Sequence, residues 1–191
     1  MGKGSQDKGV IKRWLYFTDP HIPYHDQPAF NCTMKAIEII KPDGVGLLGD
    51  IFENDFASHW QWKRRQKPPL EFQLEKIDEG LINNNYWMDV IDEVLDRAKV
   101  ASRIYCEGNH EEWLDIFVES HPHLSKTAHK FGSGYEFHNT VNLAKRGYKY
   151  FRIGEKHKNG RLYLYHGHLH GGIHHSKAHL IKMGVNVMYG H

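Results

Sequence analysis

The stretch Ser102-Arg103-Ile104-Tyr105-Cys106-Glu107-Gly108-Asn109-His110-Glu111 reads as a short β-strand that ends in a polar, glycine-bearing loop and re-forms as a helix from Glu111 to about Ser120. The alternation continues upstream. Arg13 to Thr18 is a β-prone apolar run stopped by Asp19-Pro20-His21, because Pro20 and Pro23 cannot continue a strand. From Phe30, apolar residues return at Met34, Ile37 and Ile40, the spacing of one helix face, and Pro42 and Gly44 close that helix. Val45 to Leu48 is a second strand, running into Gly49-Asp50. Between Leu70 and Ala98 the apolar positions step by three or four, with an interruption expected at Asn83-Asn84-Asn85, since asparagine competes for local backbone bonds. Strand, helix, strand, helix, strand in this order predicts an α/β layered fold.

Downstream, Tyr148 to Ile153 and Arg161 to Tyr165 are alternating segments joined through Lys158-Asn159-Gly160, and Asn-Gly predicts a hairpin there. A helix to about Met183 and a strand from Val185 to Tyr189 lead to Gly190-His191. With 191 residues, 40% hydrophobic, the chain has material for one domain. We expect a tail over residues 1–12 and a single domain over 13–191. No apolar run reaches the roughly 20 residues of a spanning helix, and the first residues have no apolar signal region, which predicts a cytoplasmic protein with no membrane partner. Cys32 and Cys106 are too few for a disulfide framework. A formal charge of +2 leaves any attraction for polyanions to local patches, and the compositional outlier is histidine, at 16 residues.

The strands above, Tyr148 to Ile153 excepted, end in a residue type that binds metals: Asp19 and His21, Asp50, Asn109 and His110, His166, His191. In open α/β sheets the carboxyl ends of the strands converge on one crevice. Carboxylate, imidazole and amide donors without a cysteine cluster suit manganese, iron or zinc in a reactive site better than structural zinc. Taken singly, each fragment has an ordinary explanation: Asn109 could cap the next helix, and Asp-Pro-His makes a plain turn. The ordered set carries more weight.

That set, Asp19-Pro20-His21, Gly49-Asp50-Ile51-Phe52-Glu53, Gly108-Asn109-His110-Glu111, His166-Gly167 and Gly190-His191, resembles the calcineurin-like metallophosphoesterase family over about Leu15 to His191. The resemblance implies a four-layer αββα sandwich of two mixed β-sheets flanked by helices, with two divalent ions. Mn²⁺ is expected first, with Fe, Zn, Ni or Mg as alternatives. Asp19, His21 and Asp50 match the ligands of one ion; Asp50 as a bridge, with Asn109, His166 and His191, match those of the other. His110 matches the catalytic histidine that protonates the leaving oxygen or stabilises the transition state. Glu53 matches the carboxylate that orients His110, with Asp55 and Glu111 as alternatives for that task. The implied activity is hydrolysis of a phosphoester by a metal-bound hydroxide, in a phosphodiesterase or nuclease acting on nucleic acid or nucleotides. A phosphomonoesterase and a non-catalytic scaffold of the same fold are the alternatives.

The family's last motif is Gly-His-x-His, and this chain stops at its first histidine, so the domain is expected to be cut short there, with an open sheet edge available to a second copy. Gly167-His168-Leu169-His170 is a rival for that motif; with His166 as ligand, His168 and His170 become possible substrate contacts. In His59-Trp60-Gln61-Trp62-Lys63-Arg64-Arg65-Gln66-Lys67, Trp60 and Trp62 interleave with bases including Lys63, Arg64 and Arg65. Indole stacking beside phosphate-neutralising cations is a single-strand-binding combination, and an inward-packed pair of tryptophans ahead of a helix is the other possibility.

Overall fold

The structure is a computed structural model and describes residues 12–58, 66–168 and 172–191. It is a mixed α/β protein. Four parallel strands make the first sheet in the order β1 (Trp14–Phe17), β2 (Gly44–Leu47), β3 (Ser102–Cys106) and β6 (Tyr148–Phe151). Helix α1 (Gln27–Ile40) links the first two strands. It starts where the Asp26 carboxylate accepts the Ala29 N–H, and it stops where Lys41 turns left-handed. Phe30, Met34 and Ile37 face the core, as their spacing predicts, whereas Ile40, expected on the same face, is exposed at the last turn. Helix α2 (Leu70–Arg97) links β2 to β3 and α3 (Asn109–Ser120) follows β3. A small β4–β5 ribbon (Ala128–His129 with Gly132–Ser133) and the short α4 (Phe137–Thr140) precede β6.

The expected break at Asn83 to Asn85 does not occur: α2 runs unbroken for 28 residues. The Asn84 amide donates to Asn54 Oδ1 at 2.7 Å, and Asn85 Nδ2 donates to the Leu81 and Thr140 carbonyls at 2.9 Å each. Partners in tertiary space remove the competition with the helix backbone. The hairpin is also reassigned. Asn159-Gly160 does turn the chain, but the antiparallel partner of β8 (Leu162–Tyr165) is β7 (His157–Asn159), while β6 pairs in parallel with β3. The first sheet is therefore wholly parallel, where two mixed sheets were expected. The second sheet is mixed: β8 pairs antiparallel with β7 and parallel with β9 (Val187–Tyr189), which follows α5 (His175–Met183).

Two clusters hold these layers. The larger packs α1, α2 and α3 on one face of the first sheet through residues such as Ile37, Leu47, Ile91, Leu95 and Leu114. The smaller joins the opposite face to the second sheet, with Leu48, Ile104, Cys106 and Leu164 at its centre and Trp14, Tyr16 and Phe151 against it. Alternation along β3 sends Ile104 and Cys106 to the second sheet and Tyr105 to the helices. Among the described residues, no helix is long and apolar enough to cross a membrane.

Candidate metal centre

Five chain segments meet just beyond the ends of β1, β2, β3, β8 and β9. Their backbones are bent to do so: Asp19, His21, Asp50 and His191 have φ of 55°, 52°, 50° and 69°. Left-handed conformations suit Asp and His better than most non-glycine residues, yet each still costs on the order of 1 kcal/mol that the surroundings must offset. Close approach also demands glycine at 108, where a Cβ would collide with Asp50 Oδ1 and the Asp50 nitrogen.

Asp50 is the hub. Its side chain is buried, Oδ1 accepts the His110 backbone N–H at 3.0 Å, and Oδ2 lies 3.1 Å from His166 Nε2, 3.9 Å from His21 Nε2 and 4.0 Å from both His110 Nε2 and His191 Nδ1. Burial opposes ionisation of Asp50, but His166 and the His110 N–H outweigh it and hold its pKa below the usual carboxylate value. His166 donates Nδ1–H to the Leu48 carbonyl at 2.9 Å, which turns Nε2 inward. There Nε2 meets Asn109 Oδ1 at 3.0 Å and His191 Nδ1 at 3.2 Å, in addition to Asp50. Burial by itself would lower the His166 pKa, and Asp50 raises it above the ordinary histidine value. The convergence of lone pairs calls for a positive charge at this point, supplied by a proton or a metal. Ligand atoms of Asp19, Asp50, His166 and His191 all lie within 4.8 Å of one another, so this cluster could hold a metal ion.

Asp19 sits beside this cluster, with Oδ2 accepting the His191 backbone N–H at 2.9 Å and the Thr18 hydroxyl. Burial opposes its charge, but His21, Thr18 and His191 prevail and bring its pKa to about 2. His21 Nε2 lies 3.8 Å from Asp19 Oδ1, and its Nδ1 lies 2.7 Å from Glu53 Oε2. Asp19 and Glu53 together raise the His21 pKa to about 9. The expected half-sites thus overlap at Asp19 as well as at Asp50.

Glu53 reaches both His21 and His110. Its carboxylate contacts His21 at 2.7 Å and stands 3.4 Å from His110 Nδ1, whereas the Glu53 backbone carbonyl accepts His110 Nδ1–H at 2.9 Å. The left-handed Asn54 next in the chain turns that carbonyl toward His110, and Asn54 Nδ2 in turn donates to the His110 carbonyl at 3.3 Å. A carboxylate behind a ligating imidazole fixes its tautomer and raises its basicity. Asp55 instead accepts the Tyr24 hydroxyl at 3.1 Å.

Glu111 carries a role that motif spacing did not predict. It is fully buried and binds the loop after β2, accepting from the backbone nitrogens of Asp50, Ile51 and Phe52 and from Gly108, as well as from the Tyr105 hydroxyl. Its sequence signal is a glutamate three residues after Gly108, the third position of a helix that starts there. His168 stacks on His166 with centroids 6.2 Å apart, while Trp60, Trp62, Lys63, Arg64, Arg65 and His170 lie outside the described residues.

These charges set a pH dependence. In the metal-free protein the raised His21 pKa stabilises the fold fully below 6.5, and that contribution fades as pH rises through about 9. The lowered Asp19 pKa stabilises above 3.8, and its contribution is lost as pH falls through about 2. A metal that takes His21 or His166 as a donor must displace the proton its raised pKa favours, so uptake at neutral pH is expected to release at least one proton and to tighten as pH rises. Calorimetric titration with Mn²⁺ in buffers of different ionisation enthalpy measures this, and equal apparent enthalpies in all buffers would contradict it. Compared with models of known protein families and with curated protein sequences, the chain matches none.

Proposed function

We propose that this chain is a metal-dependent phosphoesterase of the calcineurin-like kind, a phosphodiesterase or nuclease acting on nucleic acid or nucleotides. The observation that supports it most is the convergence on Asp50 Oδ2 of His166, His191, His21 and His110, drawn from segments spread over the whole chain. The two sheets are then the inner layers of a four-layer αββα sandwich, with α5 outside the second. Open strand β9 at the edge of that sheet is where a second copy would pair.

In this reading two divalent ions would be held, one by Asp19, His21 and Asp50 and the other by Asp50, Asn109, His166 and His191, with Asp19 near enough to serve either; manganese suits this oxygen and imidazole mixture. Bound there, such ions would supply Lewis-acid charge for a phosphoryl oxygen and lower the pKa of water. The protein's own groups do the rest. The Leu48 carbonyl holds the imidazole of His166, the Glu53 carboxylate that of His21 and the Glu53 backbone carbonyl that of His110, each through Nδ1 with Nε2 turned to the centre. His110 is the proton donor to the leaving oxygen. Its side chain is 17% exposed, so a substrate can reach it, and Trp113 packs at 4.1 Å to steady its ring.

The test is hydrolysis of bis-p-nitrophenyl phosphate, p-nitrophenyl phosphate and a labelled single-stranded DNA after stripping and reloading with Mn²⁺. Faster diester cleavage with cutting of DNA is expected. Preference for the monoester would make the protein a phosphatase, and metal binding without turnover would make it a scaffold.

A further inference from the structure

A cavity of about 240 Å³ opens beside the metal centre, between the end of β1 and the first turns of α1, and Asp19 forms part of its wall. Phe17, Pro20, Ala29 and Phe30 supply apolar surface, and the rest of the wall includes His25 and Thr33. The His25 ring is held edge-on to Phe30 and Trp87, at 5.1 and 4.7 Å between centroids, so this side of the cavity is braced by aromatic packing. Its charge is one-sided. Asp19 and Asp26 are both in the wall, and among the described residues that line it none is a lysine or arginine. Asp26 is fixed, because its Oδ1 accepts the Ala29 N–H at 2.9 Å.

Asp26, with no cation among the described lining residues, disfavours a phosphate, while flat apolar and aromatic walls accept an uncharged ring. The volume lies below that of pockets for drug-sized ligands and matches a single ring system. We propose that this cavity is a subsite for the uncharged heteroaromatic ring of the ester, of nucleobase size, seated next to a phosphoryl group at the metal centre. This rests on the phosphoesterase reading for the ester, but not for the ring.

The probe is adenosine, followed by saturation-transfer NMR on protein loaded with diamagnetic Mg²⁺, with inorganic phosphate as the ligand of the metal centre. Ala29 is an exposed helix position, and Ala29→Phe fills the cavity from that side. Adenosine affinity should fall about tenfold or more, while phosphate affinity stays within about twofold. Thr33→Met, which fills the same space from the next turn of α1, should do likewise and covers the case in which Ala29→Phe fails to fold. Adenosine binding that is absent in the parent protein, or unchanged in both variants, overturns the proposal. Loss of adenosine in the variants supports the subsite even if no ester is hydrolysed and phosphate does not bind, in which case the phosphoesterase reading alone falls.

Discussion

Glu111→Gln is expected to destabilise the protein by about 3–5 kcal/mol, although it changes one atom. Oε2 accepts the N–H groups of Asp50 and Gly108 at 2.8 and 3.0 Å, and Oε1 accepts those of Ile51 and Phe52 at 2.8 and 3.2 Å together with the Tyr105 hydroxyl at 2.8 Å. Glutamine keeps one acceptor oxygen. Whichever way its amide is turned, an NH₂ group faces at least two backbone N–H donors, in a place without solvent. Three of those donors, the N–H groups of Asp50, Ile51 and Phe52, belong to the loop that sets the conformation of Asp50, so the candidate metal centre should loosen together with the fold. Urea denaturation measures the first effect and metal affinity the second. A variant within about 1 kcal/mol of the parent would show that this network is not what holds the loop.

Asp50→Ala and His110→Ala should separate metal binding from turnover. Asp50→Ala removes the oxygen on which four imidazoles converge, so metal content and activity are expected to vanish together. His110→Ala leaves its backbone N–H in place to hold Asp50 Oδ1, so metal content should persist while kcat falls about 10²–10⁴-fold. Metal content is read by elemental analysis of the purified variants and turnover with the diester. An emptied site in His110→Ala would make His110 a ligand and end its assignment as proton donor.

Much of this was legible before the structure. Strands over 14–17 and 102–106 and the helix face of Phe30, Met34 and Ile37 follow from side-chain period and from prolines and glycines, which act over a few residues. The strand-end residues Asp19, His21, Asp50, Asn109, His166 and His191 could be named from the same punctuation, because parallel strands bring their carboxyl ends to one side. What local patterns could not reach were the pairings. Asn84 and Asn85 read as helix breakers until Asn54 and Thr140, far along the chain, take their amides. Tyr148 to Phe151 alternates equally well as a hairpin arm or as an edge strand beside β3.

The site divides in the same way. Sequence by itself determined the alternating α/β elements, the order of the ligand-type residues and the strand ends that carry them, since each of these depends on neighbours a few positions away. Only the tertiary structure decided that Glu53 backs His21 with its carboxylate and His110 with its carbonyl, and that Glu111 binds two loops at once. It also decided that Asp19 joins His166 and His191. Hydrogen-bond choice among acceptors of equal chemistry turns on differences of about an ångström in position, and such differences exist only once distant segments have packed.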